Sequence, residues 1–253
     1  MTTNNDIVYK VIKPEPSLAD FVESFWFVGN LSQAAKEIVV LPDGRVDLFF
    51  SYTATEPFHI VLMGLEIEPT KTTFQPGTVI FAISLKLLAV EYLLGDSISD
   101  LLNKTKSLPT DFWGFSKNDL NDFDLFCVKA TIKIKELVHA NIDDRKRKLF
   151  ELIYQSNGAL TVNALSEKVS WSSRQINRYF NQTFGLSLKA YCNILRFRAS
   201  IEHIKKGKLF PELNFSDQAH FIKEVKKLSG VVPKELSKNE NDRFIQLLPV
   251  TKK

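Results

Sequence analysis

Between residues 145 and 236 the chain is cut into short helices by alternating start and stop signals, and this punctuation constrains the fold more than any other feature. An Arg-Lys-Arg-Lys opening leads into a helix over about 145–156, with Leu149, Leu152 and Ile153 as its apolar stripe and Gly158 as its end. Thr161 caps a second helix whose Val162, Leu165 and Val169 face inward, and Ser170-Trp171 turns the chain to Ser172. Ser172 caps a third helix, in which Ile176, Phe180 and Phe184 recur at four-residue spacing before Gly185 stops it. Ser187 opens a longer helix to about Lys206, with Gly207 just past its end. Ser216 is read as the cap of a last basic helix, 217–229, built on a Phe221, Val225 and Leu228 seam and closed by Gly230.

Two short helices joined by a tight turn, the second polar outside and carrying arginines near its start, meet the requirements of a helix-turn-helix. The inward seam of the 172–184 helix leaves Ser173, Arg174, Asn177, Arg178 and Asn181 on its outer face. Arginine can bond guanine O6 and N7 together, and asparagine can do the same to adenine N6 and N7. Arg174, Asn177 and Arg178 are therefore the candidates for base readout; Ser172 reads either as a plain cap or as a cap that also holds a phosphate, and Ser173 on the outer face joins the DNA-binding candidates. The competing reading of these residues is a solvated face that touches phosphates only. The roughly 19-residue helix that follows is close to 28 Å long at 1.5 Å per residue. It can hold two reading units near the ~34 Å spacing of successive major grooves.

Charge divides along the same line. Residues 1–144 carry 12 Lys and Arg against 20 Asp and Glu, whereas residues 145–253 carry 21 against 9. A net of −8 joined to a net of +12 points the C-terminal part at a polyanion and the N-terminal part elsewhere. A basic face that serves only solubility is the plainer alternative.

Several motifs in order resemble the DNA-binding domain of AraC/XylS-type transcription regulators over about residues 145–237. They are Ser172-Ser173-Arg174-Gln175-Ile176-Asn177-Arg178-Tyr179-Phe180, then Gly185-Leu186-Ser187 with Lys189, Tyr191 and Ile194-Leu195-Arg196-Phe197. Asp217-Gln218-Ala219-His220-Phe221 and Gly230-Val231-Val232-Pro233 complete the set. The resemblance implies double-stranded DNA as partner and adds Gln218, His220 and Lys223 as residues near DNA in a second reading helix. His220 also reads as a structural residue packed near the helix start. The sequence departs from the family pattern in having Leu188 for the usual proline, Ser170 for the usual turn glycine, and only Lys208 to Asn214 between Gly207 and Phe215. That last interval is too short for a helix plus a turn. The second unit is thus expected to be shortened, its reading helix poorly buttressed and engaged mainly with phosphates.

In the acidic half, Ile38-Val39-Val40-Leu41 and Arg45-Val46-Asp47-Leu48-Phe49-Phe50 flank Pro42-Asp43-Gly44 and read as two strands around a turn. Further strands are expected at 21–29, 58–65 and 77–84, a helix at about 86–94 ending at Gly95, a loop with a short helix from Leu101 to Leu120, and an apolar-striped helix at 121–139. The fold class expected is α+β: an N-terminal mostly-β barrel or sandwich-like domain with helices over 1–140, and a C-terminal all-α double helix-turn-helix domain over 141–253. Ser24-Phe25-Trp26, Leu41-Pro42-Asp43-Gly44 and Asp47-Leu48 are similar to the domain that accompanies AraC-type readers. That likeness implies a role in sensing a small-molecule effector or in forming a homodimer. From the residues themselves, Asp43-Gly44 reads as turn chemistry, and Trp26 and Trp113 as core or subdomain contacts.

No catalytic constellation accompanies these motifs. The sequence has no G-x-S-x-G elbow and no glycine-rich phosphate loop, and His59, His139, His203 and His220 have no neighbours at metal-ligand spacing. Cys127 and Cys192 lie far apart and read as small buried apolar residues. The expectation is a non-enzyme with no cofactor and no metal. No apolar run approaches the roughly 20 residues that cross a membrane, and the start, Met-Thr-Thr-Asn-Asn-Asp, lacks the parts of a signal peptide. The chain is accordingly expected to be soluble and cytoplasmic, with no membrane partner. Two function classes follow: a sequence-specific DNA-binding transcription regulator, or a non-catalytic interaction module that keeps the helix-turn-helix fold without reading DNA.

Overall fold

The structure is a computed structural model that describes residues 7–138, 141–210, 215, 217–240 and 243–247. Eight strands form its N-terminal part: β1 (Ile7–Ile12), β2 (Val22–Asn30), β3 (Lys36–Val40), β4 (Val46–Tyr52), β5 (His59–Met63), β6 (Thr70–Phe74), β7 (Val79–Leu85) and β8 (Thr105–Leu108). Six of them make an antiparallel sheet in the order β1-β2-β7-β4-β5-β8, and β3 pairs with β6 in a separate two-stranded sheet. The segment around Pro42-Asp43-Gly44 is therefore not a hairpin, as the sequence suggested. Its turn passes the chain from the small sheet to the large one, because β4 lies between β5 and β7 while β3 finds β6. Two other strands escaped the sequence reading altogether: β1 and the polar Thr-Lys-Thr-Thr-Phe of β6. The interval read as loop from Leu101 to Leu120 also contains β8, which closes one edge of the sheet against β5.

Alternation along the strands gives the large sheet two different faces. Phe25, Phe27, Phe50 and Phe81 point to one side, where the last three meet Phe115 and the Phe123 and Phe126 rings of α2 (Phe123–Leu137). Centroids of the sheet rings lie 4.6 to 6.0 Å from those of Phe115, Phe123 and Phe126, the range of favourable edge and tilted contacts. The opposite face carries Trp26, Asp47, Phe49, Ile80 and Ser84 and looks across a cavity toward β3 and β6. Between the halves, the stretch read as a helix at 86–94 is a short turn, α1 (Leu87–Ala89), that widens to a π turn over Val90–Leu94 and ends on Gly95 at φ 71°.

The C-terminal part is all helical: α3 (Asp144–Gln155), α4 (Val162–Val169), α5 (Ser173–Phe184), α6 (Leu188–Lys205), α7 (Gln218–Ser229) and α8 (Pro233–Lys238). Starts and stops fall where local chemistry puts them. Asp143, Thr161, Ser172 and Ser187 accept backbone N–H groups at four helix starts, and Gly185 and Gly230 take the left-handed conformation at two ends. The cap of α7 is Asp217, whose carboxylate accepts the His220 N–H at 2.8 Å, rather than Ser216, which lies outside the described residues. The expected remnant helix over 208–214 falls partly on undescribed residues. Among the described ones, no helix stands between α6 and α7.

One continuous hydrophobic core runs through both parts, from Phe25 and Phe50 in the sheet to Phe150, Phe180 and Phe221 in the helices. Both cysteines are buried thiols. Among the described residues no helix is long and apolar enough to cross a membrane, and no group of three or more His, Cys, Asp and Glu side chains could hold a metal ion.

Candidate nucleic-acid interface and the adjoining cavity

The start of α5 is fixed from two directions. Ser172 and Gln175 form a reciprocal capping box, with the Gln175 N–H donating to Ser172 Oγ at 3.3 Å and the Ser172 N–H to Gln175 Oε1 at 2.9 Å. Ser173 Oγ donates to Asn163 Oδ1 at 2.9 Å and ties α5 to α4. Ser170, at φ 53°, supplies the left-handed turn between the two helices that a glycine would more easily adopt. Ile176, Phe180 and Phe184 are buried, so Arg174 and Arg178 stand exposed, with no ion pair or hydrogen bond among the described residues. Asn177 is half-buried, and its Nδ2 donates one N–H to the Ser173 carbonyl at 3.0 Å.

The second group of candidates sits on α7, at the far side of α6. Gln218 and Lys223 are exposed. His220 is half-buried with its ring edge-on to Phe215, centroids 5.7 Å apart, in the packing role that its position at the helix start suggested. Phe221, Val225 and Leu228 bury the inner face of α7, which packs on both α6 and α8, and Asn193 of α6 bonds Glu224 at 3.2 Å. The helix is thus supported by α6 and α8. The eight candidates form two sets on two helices, separated by the 18 residues of α6.

A cavity of about 800 Å³ lies between the two sheets and is walled on one side by Leu195, Arg198, Ala199, Ile201 and Glu202 of α6. Strand register builds its aromatic corner. Trp26 and Phe49 both lie opposite the small Ala82 of β7, from either side, and their rings meet edge-on at 5.4 Å, with Tyr9 on β1 6.4 Å from Trp26. Trp26 is therefore a wall residue of this cavity as well as a packing residue, and Asp43 lines it while also accepting the Arg45 N–H within its turn.

Glu23 gathers the basic residues of the cavity wall. Lys13, Arg45 and Arg198 reach its carboxylate at 2.7, 3.0 and 3.0 Å. Burial alone would raise the Glu23 carboxyl, but Arg45, Arg198 and Lys13 together hold it well below the ordinary carboxylate range. Arg198 belongs to α6, so this cluster joins the sheet to the helix between the two candidate reading units. Tyr191 of the same helix is fully buried and donates to the Gly44 carbonyl at 2.9 Å. Asp47 behaves differently from Glu23. Burial, reinforced by Asp43, pushes its carboxyl up to about 8, with hydrogen bonds from Ser84 and Trp26 opposing the rise. Burial likewise pushes Glu66 up to about 7, against the pull of a Thr70 hydrogen bond and with Asp43 adding to the rise.

The cavity residues were not singled out as a site from the sequence. The signal that could have found them is a charge at Arg45 and Asp47 on the same face of an otherwise apolar strand, two residues apart.

Residues 10–107 match a family described as a domain of unknown function (DUF6597). No curated protein matches the chain. Among solved structures the chain is similar to an apo variant of ToxT from Vibrio cholerae, at 12% identity, with 93% of this chain and 98% of that chain covered and a TM-score of 0.46. It is similar also to ToxT from Vibrio cholerae in a second crystal form, at 13% identity, 92% and 97% coverage and a TM-score of 0.44. A third ToxT structure from Vibrio cholerae, bound to an unsaturated fatty acid, is 15% identical over 90% of this chain and 93% of that chain, with a TM-score of 0.41.

Proposed function

We propose that this protein is a sequence-specific DNA-binding regulator of transcription whose N-terminal half binds a small-molecule effector. The observation that carries the reading is the outer face of α5: Arg174 and Arg178 exposed and unpaired among the described residues, on a helix whose start is locked by a capping box. In this role α5 enters the major groove, Arg174 and Arg178 meet base edges, and the Ser172 end holds a phosphate. α7 lies against the duplex through Gln218 and Lys223, at one end of a rod about 27 Å long. Double-stranded DNA is the partner, and the basic balance of residues 145–253 supplies its nonspecific attraction.

The cavity gives the effector a route to the readers. Its wall includes five residues of α6, and α6 separates α5 from α7. An occupant that shifts or stiffens α6 therefore changes the spacing of the two reading helices. Two copies associate through α2, where Leu125, Val128 and Ile132 are 67%, 56% and 55% exposed on one stripe. Their three- and four-residue spacing suits a helix pair.

Selection of bound duplexes from a random pool by the full-length protein at ~150 mM salt, where purely electrostatic binding is weak, tests the central claim. An enriched motif is expected, with two half-sites about 10 base pairs apart if both reading helices or two chains engage. Binding without enrichment, seen only at low salt, would instead support an interaction module that keeps the fold without reading sequence.

A further inference from the structure

We infer that the cavity between the sheets and α6 takes an organic cation, an amine carried on an apolar or aromatic body. This rests on the reading of that cavity as the effector site and goes on to name the ligand's chemistry. At about 800 Å³ the space has the size of a site for a drug-sized molecule.

Its charges decide the class. Three cations line the wall, Lys13, Arg45 and Arg198, and all three converge on Glu23. The remaining carboxylates on the wall are Asp43, Asp47, Glu66 and Glu202. Glu202 pairs with Lys205 at 3.3 Å, whereas Asp43, Asp47 and Glu66 make no ion pair among the described residues. The three cations share the one carboxylate of Glu23; with Glu202 balanced by Lys205, the fully ionised wall holds Glu23, Asp43, Asp47 and Glu66 against those three bases, and one added cation brings it to neutrality.

The aromatic corner of Tyr9, Trp26 and Phe49 stands on the same floor as Asp47, with Trp26 Nε1 3.4 Å from Asp47 Oδ1. A cation is attracted to an aromatic face, and rings beside carboxylates suit an ammonium group and its hydrocarbon stem. The raised carboxyls of half-buried Asp47 and Glu66 hold protons near neutral pH, and an ammonium group beside them would favour their ionised forms. The acids are not arranged as a metal site: among the described residues no group of three His, Cys, Asp and Glu side chains could hold an ion.

The test is titration calorimetry of the full-length protein with three probes that share an indole body: tryptamine, tryptophol and indole-3-acetate. Tryptamine is expected to bind about tenfold or more tightly than tryptophol, and indole-3-acetate not to bind. Asp47→Asn and Glu66→Gln, which keep side-chain shape, should each weaken tryptamine about tenfold and leave tryptophol unchanged, with melting temperature checking that each variant folds. Equal or tighter binding of the carboxylate or the alcohol overturns the inference. So does no binding of any probe at millimolar concentration, or tryptamine binding that neither substitution affects. A parallel measurement of affinity for the selected duplex separates the two claims. Tryptamine that binds selectively without changing duplex affinity leaves the ligand class standing and removes the effector role. Indole-3-acetate that binds and changes duplex affinity does the reverse.

Discussion

Arg178 and Asp47 show how differently exposure acts on a charged side chain. Arg178 is exposed, unpaired among the described residues and free to meet a base. Its replacement by alanine should cost about 1–3 kcal/mol of specific binding and relax preference at one base position if it reads guanine. Quantitative binding to a panel of single-base operator variants measures this, and a uniform loss across the panel would mark a phosphate contact instead. Asp47 is held against burial, and its titration should be visible in stability. Its carboxyl lies at about 8 in the folded protein, against ~3.9 in an unfolded chain. Between those values the folded state keeps a proton that the unfolded state has lost, so stability falls as pH rises through the window and levels off above it. Glu66, at about 7, adds a fall of the same sign that ends earlier. Asp47→Asn is neutral at every pH and should flatten the decline in melting temperature between about pH 4.5 and 8.5. An unchanged slope would show that the carboxyl titrates normally.

The elements most legible in the sequence were those whose signals are local. Ser172 before Ser173, and Gly185 after Phe184, define α5, and the structure realises both ends. The strands were only partly legible, because the Pro-Asp-Gly turn fixes a reversal but not which strand becomes the neighbour. β6 carries exposed threonines and a lysine with one buried residue, so no apolar alternation announced it. The cavity was harder to read for a related reason: its walls come from segments as distant as Tyr9 and Gln246, and beyond the Arg45 and Asp47 alternation no spacing rule links them. Two elements invite direct tests. A Cβ at Gly185 would come within 2.5 Å of the Ser99 carbonyl, at a φ of 78°, where the Thr183 carbonyl also accepts the Ile98 N–H at 2.9 Å. Gly185→Ala should therefore lower the melting temperature and loosen α5 from the sheet half, seen as faster amide exchange at Ile98. Along α2, replacing Leu125, Val128 and Ile132 by serine should leave the fold intact and convert a dimer to a monomer in sedimentation velocity. A monomer before the change would rule out that contact.

At the scale of the whole molecule, the two halves are joined by polar contacts as well as by a shared core. Glu23 of the sheet faces Arg198 of α6, Tyr179 of α5 donates to Glu91 at 3.1 Å, and the Leu87 N–H donates to Tyr154 of α3 at 3.0 Å. Glu23→Gln would leave buried Arg45 without its ion-pair partner among the described residues. It should destabilise the protein by about 3–5 kcal/mol, the range for removing one partner of a buried pair. Chemical denaturation should still give one transition, because the core is continuous, and a split into two transitions would show that the halves unfold separately. The far end of the chain joins this union: Phe244 bridges to Val39 of the small sheet, and Gln246 exchanges hydrogen bonds with the Leu41 backbone at 3.1 and 3.0 Å. A chimera cut at residues 141–144, the natural joint by sequence, would thus graft a sensor that has left part of its own binding wall behind. To transplant the response onto a foreign reader, α6 and the 243–247 segment would have to travel with the strands, so the unit of exchange is discontinuous in sequence.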